Sequence, residues 1–269
     1  MKKKALIIGI NDYQAATGLK GCVNDTTNLR VLMRELLGFK NEEVRILIDR
    51  RATKTEIERG LSWLVSGARP GDLRILHFSG HGSQISDRGE RDELVDQLDE
   101  ILCPWDVDFQ DNVITDDYLQ QRLQVPRGVV LEAILDCCNS GDDAAQPATS
   151  NDAQGEDRRP RFAPPPRGLP ADPRVRHNPR RLFRSHAPGR LALWSACAAT
   201  QTAADARIDG VFNGAFTFYL CKHLREAEGR IPRSELLRLT RASLLEAGYE
   251  QVPELAAPVD LAAARAFHL

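Results

Sequence analysis

The chain has 269 residues, 42% of them hydrophobic and 28% charged, with 36 Lys and Arg against 38 Asp and Glu and a formal net charge of -2. That length buries a sizeable core, as one open α/β domain or two closely joined lobes. The near-balanced charge argues against a nucleic-acid or anionic-membrane partner, and no run approaches the about eighteen apolar residues of a membrane span.

The first element is the apolar run 4–9, KALIIG. Three lysines before it imitate a leader peptide, but the run is short, carries Gly9, stops at Asn11-Asp12 and meets no small-residue cleavage site. It therefore reads as a buried strand of a soluble, cytoplasmic protein. Residues 24–37 place Leu29, Leu32, Met33, Leu36 and Leu37 at helical spacing, with Asn24 or Asp25 as the cap. A strand follows at 43–48. Thr53 then caps a helix carrying Ile57, Leu61, Leu64 and Val65, with Glu56 at the capping-box position. Gly71-Asp72 turns the chain into a third strand at 73–78. The β-α-β-α-β order predicts a largely parallel sheet with crossover helices.

Residues 87–117 hold twelve acidic side chains against Arg88 and Arg91 only. They read as an irregular acidic region with a short strand at 101–102, followed by a helix over 116–123 that begins near Thr115. A fourth strand, 129–135, runs into Asp136-Cys137-Cys138. Residues 142–190 then hold nine prolines, ten arginines and no lysine, the composition of a long exposed or disordered insert. Order resumes with a strand at 191–195, helices over 212–225 and 233–246, and a short element within 259–269. The predicted organisation is a large lobe at 1–141, a flexible insert at 142–187 and a small lobe at 188–269, with one sheet running through both lobes.

The six cysteines show neither a CxxC pair nor a zinc spacing, and without a leader a disulfide framework is not expected. His81 directly follows the third strand, in Phe78-Ser79-Gly80-His81-Gly82, and Cys138 directly follows the fourth. Carboxyl ends of parallel strands share one edge, where ligands bind. Two strand ends thus bring an imidazole and a thiol to one cleft, the pair needed for thiolate attack and proton shuttling at a carbonyl. Nearby glycines leave backbone N–H groups free to face an oxyanion. His81 also reads as an ordinary turn histidine. Cys137 is a direct rival to Cys138, since adjacent side chains of an extended chain point opposite ways, and the residues alone do not choose between them. No GxSxG elbow, GxGxxG or Walker loop supports a hydrolase or nucleotide-binding reading.

ALIIGINDY at 5–13, LKGCVNDTTNL at 19–29, HFSGHGSQ at 77–84, DQLDEILCPWD at 96–106, ITDD at 114–117, LDCCNSG at 135–141 and WSACAATQTAAD at 194–205 together resemble the metacaspases, caspase-like cysteine peptidases. The resemblance spans nearly the whole chain outside the insert. It implies a caspase-like, open and mostly parallel sheet flanked by helices, acting as a monomer without an organic cofactor. No long prodomain precedes the first strand, so the likeness is to prodomain-less, bacterial-type and type I-like members, with no recruitment module.

The same resemblance selects Cys138 as nucleophile and His81 as base, with Asn139 standing where the family usually has His and Cys22 matching an auxiliary thiol. It makes Asp25, Ser79, Asp136 and Asp205 the lining of a pocket for the Arg or Lys before the cut, although Asp25 also reads as a helix cap and Asp136 as a turn carboxylate. Carboxylates attract a guanidinium and grip it bidentately. Asp96, Asp99, Glu100, Asp116 and Asp117 are hard oxygen donors, suited to Ca²⁺ by chemistry and by their match to the family's calcium segments. They also read as a solvated acidic face. Gln97 replaces a family glycine beside Asp96. The expected activity is a calcium-stimulated endopeptidase acting on peptides or proteins with exposed Arg or Lys, made as a zymogen. Self-processing is expected in the insert, at the Arg180, Arg181 and Arg184 cluster. A catalytically weak scaffold or binding module is the alternative.

Overall fold

The computed structural model describes residues 1–86, 98–138, 158–166, 190–198 and 201–268. Asp96, Asn139, Arg180, Arg181 and Arg184 lie outside them. The central sheet is built from β1 (Lys3–Gly9), β2 (Val44–Ile48), β3 (Leu73–Ser79), β7 (Val130–Asp136), β9 (Arg190–Ser195) and β12 (Glu254–Ala256), in the order β12-β9-β7-β3-β1-β2. The pairings from β2 to β9 are parallel and β12 is antiparallel to β9. Each apolar run of the sequence is one of these strands, and β3 and β7 are buried along their whole length. A strand covered on both faces reads as a continuous apolar run rather than an alternating one.

Helices α1 (Cys22–Glu35), α4 (Ala215–Glu226) and α5 (Arg233–Glu246) cover one face, where Leu29, Leu32, Met33, Leu220 and Leu236 pack with Ile7, Ile75 and Ile134. Helices α2 (Lys54–Val65) and α3 (Asp116–Arg122) cover the other, where Ile57, Leu61 and Leu119 pack with Leu6, Ile8 and Leu76. Thr53 caps α2 by accepting from Glu56 N at 3.3 Å, and Thr115 caps α3 by accepting from Tyr118 N at 3.1 Å. The first helix departs from expectation: it starts at Cys22 with Gly21 at the cap position and no side-chain cap. Asn24 instead donates to Phe212 O at 2.7 Å.

The acidic region is more regular than its composition suggests. Its strands β5 (Leu98–Leu102) and β6 (Ile114–Thr115) join β4 (Gly82–Ser86), which directly precedes it, in a three-stranded antiparallel sheet. A second small sheet joins β8 (Arg158–Pro160), β10 (Ala204–Ile208) and β11 (Val211–Gly214), all antiparallel. So residues 158–163 of the segment expected to be exposed are extended and packed, with Arg161, Phe162 and Ala163 buried. The cause is a set of charges and backbone donors at the sheet edge, which composition does not report. Short α6 (Val259–Ala263) closes the chain. Among the described residues no helix is long and apolar enough to cross a membrane.

A buried ion pair ties the last segment to the central sheet. Glu132 in β7 accepts from Arg233 Nε at 2.8 Å, Trp194 Nε1 at 2.8 Å and the backbone N–H of Phe267 at 2.9 Å. Arg233 in turn donates to the carbonyls of Leu261, Ala264 and His268.

Candidate active site

Residues Ser79 and Asp136 are directly paired at the carboxyl ends of β3 and β7. The chain turns outward just beyond them, and Gly80 N donates to Asp136 O at 3.3 Å. A Cβ on Gly80 would sit 2.4 Å from Tyr13 Oη, so only glycine allows this close approach. His81 follows, 2% exposed. Its backbone N–H donates to Tyr13 Oη at 2.7 Å, and its ring lies 5.0 Å from the Tyr13 ring centre. Ring nitrogen Nε2 is 2.7 Å from the carbonyl oxygen of Thr17. A carbonyl only accepts, so Nε2 carries the proton and Nδ1 holds a lone pair. Among the described residues Nδ1 is buried with no hydrogen-bond partner. Burial, the largest influence, holds the His81 pKa down to about 4, which keeps the ring neutral near pH 7.

The two adjacent thiols part company. Cys137 packs with Cys103 and Leu135 on one side of the sheet, while Cys138 packs with Phe162, Ala196 and Ala203 on the other. Cys138 Sγ accepts from Ala203 N at 2.7 Å. The backbone N–H of Cys138 points at the carbonyl oxygen of Arg161, 3.2 Å away, and Gly82 N donates to the same oxygen at 3.0 Å. Two converging backbone donors on one carbonyl form the arrangement that stabilises an oxyanion.

The side chain of Arg161 fills a closed acidic pocket. Nη2 lies 2.8 Å from Asp25 Oδ2 and 3.1 Å from Asp205 Oδ1; Nη1 lies 2.7 Å from Ser79 Oγ and 3.2 Å from Asp136 Oδ1. The last contact is an ion pair without hydrogen-bond geometry, since Asp136 Oδ1 has no hydrogen-bond partner among the described residues. All four expected pocket residues are therefore brought together, each with no exposed surface. Three come from the ends of α1, β3 and β7, and the fourth from β10.

Backbone donors hold the carboxylates in place: Gly214 N on Asp25, Thr217 N on Asp136, and Lys20 N and Gly21 N on Asp205. Three buried carboxyl groups outnumber one guanidinium. Burial, reinforced by Asp136 and opposed by Arg161, pushes Asp25 up to about 7, while the carboxylates hold Arg161 firmly protonated. A Cβ on Gly214 would meet Asp136 Oδ2 at 2.3 Å and Arg161 Nη1 at 2.5 Å, so the pocket wall is bare backbone.

Gly82 is one of the glycines beside His81 from which a free backbone N–H is expected, and its N–H does face the Arg161 carbonyl oxygen. Sequence reasoning does not find Tyr13, Thr17, Ala203 or Gly214, and nothing local marks them.

The described acidic residues form a separate set. Asp99 and Glu100 lie in β5, and Asp116 and Asp117 open α3 directly after β6. The pairing of Ile101 with Thr115 sets the start of α3 beside the end of the β5–β6 pair, with Asp99 and Glu100 on β5 and Asp116 and Asp117 in the first turn of the helix. They are hard oxygen donors of the kind Ca²⁺ takes. Among the described residues no three His, Cys, Asp or Glu side chains converge as a metal-holding group.

Comparison with known proteins places these features in context. Residues 3–146 match the family model for the metacaspase, peptidase C14 domain. Metacaspase-2 of Trypanosoma brucei brucei is 33% identical over 272 residues, covering 94% of this chain and 72% of that protein. Metacaspase-1A of Neurospora crassa is 41% identical over 150 residues, which is 52% of this chain and 32% of that protein. Among solved structures, protein GSU0716 from Geobacter sulfurreducens superposes with a TM-score of 0.72 over 100% of this chain and 99% of that one, at 20% identity. Caspase-1 from Spodoptera frugiperda gives a TM-score of 0.55 over 95% of this chain and 86% of that one, at 13% identity. Both structural likenesses concern the α/β fold, with its mostly parallel sheet flanked by helices.

Proposed function

The chain belongs to the metacaspase family and is a cysteine-type endopeptidase, and from that premise we propose that it cuts after Arg or Lys, with Cys138 as nucleophile and His81 as base. One observation carries the reading: an arginine sits in the Asp25, Asp136 and Asp205 pocket while its own carbonyl oxygen receives the N–H groups of Cys138 and Gly82.

The chemistry follows from that placement. A substrate arginine is gripped by carboxylates already oriented by backbone donors, which spares reorganisation at binding. Its carbonyl oxygen points between two N–H groups, where negative charge develops on attack. Cys138 Sγ leaves Ala203 N by rotation about its Cα–Cβ bond, gives its proton to His81 Nδ1 and adds to the carbonyl carbon. His81 then hands the proton to the departing amine. Thr17 O, bonded to Nε2, fixes the tautomer this relay needs.

The finer reading includes stimulation by Ca²⁺ through Asp96, Asp99, Glu100, Asp116 and Asp117, and self-processing within the arginine-rich insert. These carboxylates would hold the ion, and Ca²⁺ bound there would supply charge neutralisation to the acidic segment. The support is the hard-oxygen donor set on β5 and in the first turn of α3, which follows directly on β6. Substrates are peptides or proteins with accessible Arg or Lys.

A second reading, a binding module with little turnover, draws on the seating of Cys138 Sγ against Ala203 N. A covalent arginyl chloromethylketone or acyloxymethylketone probe separates the two. A catalyst labels at Cys138 and loses labelling in His81→Ala; a mere binder takes no label in either.

A further inference from the structure

Segment 158–163 lies across the site as an extended peptide, and its contacts continue on both sides of Arg161. On the amino side, β8 pairs antiparallel with β10, with Arg159 opposite Asp205, and Arg161 N donates to Ala203 O at 3.0 Å. On the carboxyl side, Ala163 N donates to Gly82 O at 3.0 Å, and Phe162 is bridged in parallel to Gly82. Side chains add anchors. Arg159 Nη1 donates to Gly18 O at 3.2 Å. The Arg158 guanidinium lies 4.2 Å from the Tyr249 ring centre and donates to Ala247 O and Gly248 O, at the carboxyl end of α5, where the helix dipole favours a cation. A strand added to a sheet edge, with pockets for its side chains, is a peptide-recognition mode.

We propose that the Arg161–Phe162 peptide bond is the chain's own processing site, cut by Cys138 of the same molecule. The inference rests on the cysteine-peptidase reading above. Arg161 fills the acidic pocket, and its carbonyl oxygen receives the Cys138 and Gly82 donors. Of the insert's arginines within the described residues, Arg158 packs on Tyr249, Arg159 precedes Pro160, whose ring removes the N–H and fixes φ, and Arg161 alone enters the pocket.

In the reaction, the Cys138 thiolate adds to the Arg161 carbonyl carbon and the bond from that carbon to Phe162 N breaks. His81 delivers its proton to the Phe162 amine, leaving an Arg161 thioester. Water, deprotonated by His81, cleaves the thioester to the Arg161 carboxylate and restores the Cys138 thiol. Until the cut, the segment occupies the site at the high effective concentration of a tethered ligand, so outside substrates are excluded.

The test uses purified full-length chain with Ca²⁺, followed by intact mass and amino-terminal sequencing. The expected result is a new amino terminus at Phe162, formed at a first-order rate unchanged over a hundredfold dilution and absent in Cys138→Ala. Arg161→Ala should lose this terminus and turn over an external arginyl peptide without a lag. Phe162→Pro guards against misfolding. Among the described residues no hydrogen bond uses the Phe162 N–H, and proline holds the preceding residue extended. This variant should stay folded by circular dichroism, stay uncut, and turn over the external peptide at least tenfold more slowly than cut wild type. Cleavage elsewhere, or no cleavage in a wild type that turns over arginyl peptides through Cys138, overturns the assignment and leaves the peptidase reading standing. Loss of all Cys138-dependent turnover overturns both.

Discussion

The carbonyl oxygen of Arg161 lies 3.2 Å from the backbone nitrogen of Cys138, so the residue that fills the acidic pocket also presents its carbonyl to the nucleophile's own N–H. Pocket and reaction centre are thereby linked through a single residue. Most of the functional consequences turn on that link.

The first consequence concerns the two thiols. Cys138→Ala should abolish peptide turnover, because Cys137 packs on the opposite side of the sheet with Cys103 and cannot replace it. Cys137→Ala should retain turnover. His81→Ala should lower kcat by about 10²–10⁴-fold, the usual worth of a general base. Steady-state kinetics on an arginyl peptide check all three, and loss of turnover in Cys137→Ala but not Cys138→Ala would reverse the assignment.

Pocket geometry makes a steric prediction. Gly214 has φ of -69°, which alanine adopts freely, so Gly214→Ala acts only through its Cβ. That atom would lie 2.3 Å from Asp136 Oδ2 and 2.5 Å from the guanidinium nitrogen of the bound arginine. Turnover of arginyl peptides should fall at least about 10-fold, through KM, while the melting curve keeps a single transition. Removing one charged partner with Asp205→Asn should cost roughly 10–100-fold in kcat/KM, the range of a charge-assisted hydrogen bond. An unchanged KM in both variants would place substrate arginine elsewhere.

Titration of the pocket sets a pH dependence. Asp25 is pushed up to about 7 by burial, with Asp136 adding to the shift and Arg161 opposing it. Because an arginine favours the charged carboxylate, the value of about 7 belongs to the arginine-filled pocket, the empty pocket holds Asp25 above it, and affinity falls as pH drops toward about 7. The limit is tenfold per pH unit for one proton. His81, held down to about 4, contributes at the acid end instead. A pH profile of kcat/KM in Arg161→Ala, where the pocket is open and the guanidinium that lowers Asp25 is gone, should therefore fall toward acid along a limb above about 7, and Asp25→Asn should flatten that limb. A profile bending only near 4 would assign the limb to His81 alone.

Calcium offers an independent handle. Neutralising Asp99 and Glu100 on β5 and Asp116 and Asp117 in the first turn of α3 should firm the strand pair that begins at Gly82, one of the two oxyanion donors. Activity is expected to rise between chelator and millimolar Ca²⁺, and Asp117→Ala should shift the titration midpoint upward several-fold. A flat titration would leave these residues as a solvated acidic face.

Beneath the site, the Glu132–Arg233 pair carries a stability prediction. Both side chains are fully buried. Arg233→Leu strands the Glu132 carboxylate and frees the carbonyls of Leu261, Ala264 and His268, at a cost of about 3–5 kcal/mol. Urea unfolding measures it directly.

The parallel sheet was legible because β1, β3 and β7 are mostly apolar, and Thr53 and Thr115 announce α2 and α3 by capping. Strand-end logic then placed His81 and Cys138 at one edge. What stayed hidden is long-range. Strand β6 has two residues and β8 has three, too few for any period to show. Pairing of Arg159 with Asp205 leaves no trace in local composition, so a segment rich in proline and arginine read as wholly exposed although Arg161 is buried among carboxylates. Asp25 likewise reads as a helix cap by position, yet it accepts from Gly214 N, 189 residues away in sequence.

Matched peptides that differ only at the residue before the scissile bond test the central claim most directly. They should be given with Ca²⁺ to wild type and to Cys138→Ala. Arginyl and lysyl peptides should be cut by wild type, aspartyl peptides should not, and the variant should cut none. Equal turnover of arginyl and aspartyl peptides, or turnover that survives Cys138→Ala, would contradict a cysteine peptidase built around an acidic pocket.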